Sequence, residues 1–223
     1  MNDPSGVMGK VRRALGRSAP LASAPTPPAI EDKITRLAFA DGRLPELFTA
    51  RATANKMHVE TIGSSALLPR LVELLHGTKA KRIALAESEL LERLGIAAGL
   101  REAGFEIAVW PQMTLDALYD FDCAVTDIYK AVAETGSLVM RSSPKHGRAL
   151  SLVPPMHVAI VEAADFLPDL IDLFALLRGQ GNSAGITIIS GPSKTADIEL
   201  NLVTGVHGPG DVRIFILGED AAT

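Results

Sequence analysis

The spacing of apolar residues alternates along most of the chain between short continuous runs, which suit buried strands, and residues three and four apart, which suit helices. Met57–Ile62 reads as a strand. Ser65–His76 then sets Leu67, Leu68, Leu71, Val72, Leu74 and Leu75 on a helix face, with Ser64 or Ser65 as cap and Gly77 as stop. Arg82–Ala86 predicts a buried strand, Glu89–Ala103 a helix ended by Gly104, and Phe105–Val109 a strand again. Further strands are predicted at Cys123–Asp127, Gly136–Met140 and His157–Val161, followed by a helix over Pro168–Leu177 and strands at Ile186–Ile189 and Val212–Leu217. This rhythm implies an α/β domain of three layers, α/β/α, with a mostly parallel sheet over about residues 55–218.

The N-terminal part breaks the rhythm. Residues 7–17 have helical spacing with Lys10, Arg12, Arg13 and Arg17 among them, and Ser18–Ala29 carries Pro20, Pro25, Pro27 and Pro28. Residues 1–29 therefore read as a flexible tail and Pro/Ala linker. Residues 30–54 read as a helical segment packed on the core, with Ile34, Leu37 and Ala38 in one short helix and Leu44, Leu47 and Phe48 in another beyond Asp41-Gly42.

Composition narrows the function classes. A net charge of −4 with no dense Lys/Arg stripe gives no field for a nucleic-acid backbone. No run approaches the roughly twenty apolar residues of a membrane span, and no signal-peptide core follows the basic residues, so a cytoplasmic protein is expected. The single cysteine, Cys123, lies in an apolar strand and is expected to be a buried, inert thiol. One thiol cannot hold an iron–sulfur cluster that normally takes four ligands, and five scattered histidines make no metal motif, so no metal is expected on this chain.

Candidate chemistry gathers in three segments. The turn Ser190-Gly191-Pro192-Ser193-Lys194-Thr195-Ala196-Asp197 follows the Ile186–Ile189 strand and reads as a helix start, where free N–H groups beside Ser193, Lys194 and Thr195 suit an anion. Ordinary capping explains the same residue types, Asp197 is placed to pair with Lys194, and the Walker A spacing is absent. Glu134 beside Thr135, Gly136 and Ser137 is a candidate acid, base or nucleophile, or simply a turn cap. His146 and Arg148 flank Gly147, and the Arg148 fork suits a carboxylate or phosphate. His207, next to Gly208 in a flexible loop, is a second catalytic candidate. Loops beyond the carboxyl ends of parallel strands are where such residues would meet.

Taken together, Ala133-Glu134-Thr135-Gly136-Ser137, Gly147-Arg148 through Pro155-Met156-His157, Ser190 through Glu199, and Gly205-Val206-His207-Gly208-Pro209 resemble the signature of the lactate utilization (LUD) family over roughly residues 30–218. Ser137 stands where threonine is also common. The resemblance implies a fold like that of the sugar-phosphate isomerase (NagB/RpiA) and CoA-transferase group. It also implies a non-redox role in oxidising L-lactate to pyruvate beside two iron–sulfur partner proteins, which would carry the clusters while this chain holds no cofactor of its own. The ligand would then be a small carboxylate or other anion. An independent enzyme or a regulatory protein binding an acyl, CoA or phosphosugar-type anion is the alternative.

Overall fold

The computed structural model describes residues 6–17, 26, 28, 31, 36–38, 43–180, 183–196, 202–204 and 207–218. The chain divides into two units, Met1–Arg36 and Leu37–Thr223. In the first, α1 (Val7–Ala14) is helical as its spacing predicts, with Val7, Met8 and Val11 exposed. The helix expected around Ile34 falls mostly outside the described residues.

In the second unit α2 (Leu44–Ala54) leads into β1 (His58–Gly63), α3 (Ser64–Gly77), β2 (Arg82–Leu85), α4 (Glu89–Arg93), α5 (Ile96–Glu102) and β3 (Glu106–Val109). Then come β4 (Cys123–Asp127), β5 (Lys130–Val132), β6 (Ser137–Arg141), β7 (Met156–Glu162), β8 (Phe166–Leu167) and α6 (Leu170–Arg178). The last strands are β9 (Ile186–Ile189), β10 (Lys194–Ala196), β11 (Leu202–Thr204) and β12 (Asp211–Gly218).

Six of these strands form a wholly parallel sheet in the order β1-β12-β7-β4-β2-β3. Its central strands are buried on both faces, which is why they read as continuous apolar runs. Ile83, Leu85, Val125, Val158, Ile160 and Phe215 pack with Leu67 and Leu71 of α3, Leu90 of α4 and Leu100 of α5. Ala159, Val161, Ile214 and Ile216 form the other core, with Phe48 and Ala52 of α2. There the Phe48 and Phe166 rings meet edge to face at 5.3 Å, a favoured aromatic geometry. The expected α/β fold with a mostly parallel sheet and flanking helices is thus present. Cys123 is buried, and burial pushes its thiol pKa well up.

Several local expectations are corrected. Two expected strands, at Gly136–Met140 and Ile186–Ile189, belong to a second sheet, β8-β5-β6-β9. The Ala133–Gly136 turn makes β5 and β6 an antiparallel hairpin, and β9 adds antiparallel to β6. As the edge strand, β9 is not buried: Ile186 and Ile188 are 43% and 40% exposed. The helix expected over Glu89–Ala103 is interrupted at Gly95, whose left-handed φ of 63° starts α5 afresh. At α3 the N-cap is Gly63 with no side-chain bond, not Ser64 or Ser65, and the helix runs through Gly77 to a cap at Thr78.

The helix expected from Pro192 is a strand instead. Residues Lys194–Ala196 pair antiparallel with Leu202–Thr204, a β-branched partner that outweighs the local helix-start signal. The Ser193 N–H donates to the Pro209 carbonyl at 2.8 Å, so it does not face a ligand.

Candidate functional site

The β6/β9 ladder separates the sequence candidates into two groups. Register pairs Leu138 with Ile189 at one end and Arg141 with Ile186 at the other. Ser137 and Ser142, just at those ends, are therefore roughly 17 Å apart at about 3.4 Å per residue.

At the first end, Ser137 is buried and its Oγ lies 2.8 Å from Thr135 Oγ1 and 2.7 Å from Ser190 Oγ. Asn55, just beyond α2, donates from Nδ2 to the Thr135 carbonyl at 2.9 Å. A side chain on Gly191 would begin 2.7 Å from the Asn55 carbonyl oxygen. The half-buried Glu134 donates its backbone N–H to the Pro168 carbonyl at 2.9 Å. Thr135, Gly136, Ser137, Ser190 and Gly191 thus come together around the end of α2. Ser193 packs on Gly208 close to Pro155 and Gly210, at the amino ends of β7 and β12. Lys194 and His207 are exposed, Thr195 lies in β10, and Asp197 falls outside the described residues.

The second end lies at the carboxyl edge of the parallel sheet. The chain passes outward from β2 to β3 and returns on the other side of β2 to β4, so crossovers diverge between β2 and β4. Open α/β sheets bind ligands beyond strand ends at such a divergence. A cleft of about 780 Å³ opens there, lined by Glu87 after β2, Asp127 at the end of β4, and Arg141, Ser142, Lys145 and His146. An adjoining cavity of about 360 Å³ holds Arg148 and Trp110 and shares Ser142 and Ala184 as its wall. A side chain on Gly185 would begin 3.6 Å from Ser142 Oγ and 3.8 Å from Arg148 Nη1, which places the guanidinium beside that shared wall.

A tight turn fixes the cleft rim. Ser143 and His146 exchange both backbone hydrogen bonds, at 3.0 and 3.1 Å, around Pro144-Lys145, a sequence whose proline presets the turn. The Lys145 carbonyl accepts from Glu87 N–H at 3.1 Å, and its ammonium lies 2.8 Å from Glu87 Oε1. Trp110 Nε1–H donates to the Pro144 carbonyl at 3.0 Å.

On that frame His146 Nε2 stands 3.4 Å from Asp127 Oδ1. The two are close enough to pair electrostatically when the histidine is protonated but are not aligned as a hydrogen bond, and both atoms are buried without a hydrogen-bond partner among the described residues. Burial lowers the His146 pKa, opposed by the Asp127 charge and the backbone carbonyls of Arg141 and Asp127. Deeper in the sheet, the fully buried His157 on β7 lies 2.9 Å from Thr126 Oγ1 through Nε2, while its Nδ1 has no partner among the described residues. Burial first, then the nearby His146, lowers its pKa to about 3.

A smaller cavity of about 340 Å³, walled by the paired strands β1 and β12 and by α3, is lined by Glu60, Arg70 and Arg213. Its arginines already lie 3.0 Å from Glu60 and 2.9 Å from Asp211, so it offers an incoming anion little. Among the described residues no group of three His, Cys, Asp or Glu side chains is placed to hold a metal ion. Arg148 was legible as a candidate from sequence. Asp127 and His157 were not, although a carboxylate closing the apolar run Cys123–Val125 was a usable signal.

The LUD domain family model matches residues 45–217. Lactate utilization protein C from an Exiguobacterium species is 29% identical over 233 residues, covering 95% of this chain and 94% of the relative. A protein of the same name from Bacillus pumilus is 41% identical over 95 residues, 40% of this chain and 39% of that one. The crystal structure of a DUF162 family protein from Deinococcus radiodurans superposes with a TM-score of 0.58 at 18% identity, covering 81% of this chain and 99% of that one, a likeness of fold.

Proposed function

This chain belongs to the LUD domain family, and we propose from that premise that it works in lactate utilization, as a non-redox component acting with two iron–sulfur partner proteins that oxidise L-lactate to pyruvate. The observation that carries this reading is the alignment with a lactate utilization protein C across nearly the whole of both chains. The single cysteine, buried in β4, supports assigning the clusters to the partners. A free thiol suits the reducing cytoplasm, where we place the protein's work. Among the described residues no helix is long and apolar enough to cross a membrane.

On this reading the chain holds a small carboxylate, with Arg148 as its clamp. The Arg148 guanidinium is exposed and makes no hydrogen bond or ion pair among the described residues, so its five donors are open to an anion. The test is growth on L-lactate as sole carbon source after deleting the gene, with rescue by wild type, Arg148→Ala, Lys194→Ala or the distant surface change Arg101→Ala. Growth is expected to fail on deletion, to return with wild type and Arg101→Ala, and to remain impaired with Arg148→Ala. Failure with Lys194→Ala alone would move the ligand to the β10/β11 hairpin. Undiminished growth of the deletion strain would end the lactate reading.

The size of the cleft favours one second reading. At about 780 Å³ it exceeds what lactate fills and falls within the range of drug-sized ligand pockets. An independent enzyme or regulatory protein taking an acyl, CoA or phosphosugar-type anion would use that space, although Glu134, its reactive carboxylate on this reading, stands at the opposite end of β6 and does not line the cleft. Thermal stabilisation by CoA or a sugar phosphate, with none by lactate, would favour it.

A further inference from the structure

We propose that the free edge of β9 is a self-association surface. A second copy of this chain pairs its own β9 there, antiparallel about a two-fold axis, and joins the two four-stranded sheets into one continuous sheet.

The β6/β9 ladder fixes which backbone groups are open. On the inner side Ile189 pairs with Leu138 and Thr187 with Met140, and the Gly185 carbonyl accepts from Ser142 N–H at 2.9 Å. Successive residues of a strand turn their N–H and C=O groups to opposite sides. Gly185, Thr187 and Ile189 therefore point toward β6, and Ile186 and Ile188 point outward. Among the described residues no strand pairs with that side. The side chains of Ile186 and Ile188 are exposed as well. Ile188 stands opposite Val139 and shares its face of the sheet, which α6 covers through Leu173. Phe174 on that helix is itself 50% exposed.

An open edge is a template for another strand, and folded proteins guard theirs with charges, proline or short length. The other edges of the two larger sheets follow that rule. Glu60 in β1 and Glu106 in β3 stand at the two edges of the parallel sheet, and β8 is only two residues long. The sequence of β9, Ile-Thr-Ile-Ile, has neither charge nor proline.

Self-complementarity selects the occupant. A two-fold interface sets one patch against itself. Matching the outward residues in an antiparallel register puts Ile186 opposite the partner's Ile188, Ile188 opposite the partner's Ile186, and Thr187 opposite the partner's Thr187 on the axis. Every outward N–H and C=O of Ile186 and Ile188 then has a partner. Isoleucines meet isoleucines on one face, and the two threonines form a favourable cross-strand pair on the other. No charged residue within the strand opposes another. Ala184, two residues before Ile186, lines both the carboxyl-edge cleft and its adjoining cavity, so the second copy would border them.

Sedimentation velocity and light scattering of the purified full-length chain test the pairing. Wild type is expected at twice the chain mass of 23.6 kDa at about 100 μM, and to dissociate on dilution. Ile188→Lys should raise the dissociation constant at least about tenfold, because it sets a cation against the partner's Ile186. Ile188→Pro should weaken the dimer similarly by removing an outward N–H that the β6 ladder does not use. Both variants should keep the wild-type far-UV circular dichroism. Thr187→Cys gives a readout that does not depend on weakening anything. Residues opposite one another in a non-hydrogen-bonded pair lie about 4.5 Å apart at Cα, within disulfide reach. Since Cys123 is buried, mild oxidation should give a covalent dimer of Thr187→Cys and none of wild type. A chain that stays monomeric at about 100 μM, with its edge open or left for a strand of another protein, overturns the proposal. So does a dimer that Ile188→Lys leaves intact, or one that Thr187→Cys fails to cross-link.

Discussion

Acidification from pH 6.5 toward 3 is expected to remove as much as about 5 kcal/mol of folding stability through His157 alone. In the folded chain its pKa is lowered from 6.5 to about 3, chiefly by complete burial and secondarily by the nearby His146. Each tenfold loss of proton affinity is worth about 1.4 kcal/mol, which sets the upper bound. Unfolding returns the imidazole to its ordinary value, so across this window the unfolded chain binds a proton that the folded chain does not. Stability therefore rises with pH wherever the unfolded state holds the extra proton. It is at full value above pH 6.5, falls as the pH drops, and stops falling from this source below about 3.

His157→Gln separates this residue from the carboxylates that titrate nearby in pH. A glutamine amide keeps a polar partner for Thr126 Oγ1, which now lies 2.9 Å from His157 Nε2, and carries no proton to gain. Urea denaturation at a series of pH values should show a steeper loss in wild type than in the variant between pH 6.5 and 3. Parallel curves would mean that His157 is not the buried base.

The same residue shows what the sequence hides. His157 sits in Met156–Glu162, whose apolar neighbours mark a buried strand, and nothing local says that one of its side chains is a buried base. The parallel sheet itself was legible because a strand covered on both faces needs apolar residues at every position, as in Ile83–Leu85 and Val158–Val161. The second sheet was not. Its strands look alike in sequence, but pairing direction is set by the Ala133–Gly136 turn and by contacts between segments about fifty residues apart. Ser190–Ala196 misled for a related reason. Gly-Pro-Ser is a sound helix-start signal, and only the antiparallel pairing of Lys194–Ala196 with Leu202–Thr204, six to ten residues further on, decides against it. For the candidate site, residue types pointed to Arg148 and to the Thr135–Ser137 turn. The ladder that holds the two about five residues apart is a property of the fold.

That turn is the place where the largest single-methyl effect is expected. Gly136→Ala should destabilise the protein by about 2–5 kcal/mol, from two separable causes. Gly136 has a left-handed φ of 62°, which costs a side-chain-bearing residue roughly 1–2 kcal/mol. An added Cβ would also lie 2.6 Å from the Arg51 carbonyl carbon and 2.7 Å from Arg51 Cβ, so α2 must shift, an overpacking cost of roughly 1–3 kcal/mol. The shift would pull Asn55 from the Thr135 carbonyl and loosen the Thr135–Ser137–Ser190 hydroxyl chain at one end of β6 and β9. Gly95→Ala provides the control: its φ is 63°, nearly the same, and nothing lies within 4 Å of the new methyl. Chemical denaturation of both variants should show the smaller backbone cost at Gly95 and the larger combined cost at Gly136. Equal losses would mean that α2 yields freely and that its close approach to the turn contributes nothing to stability.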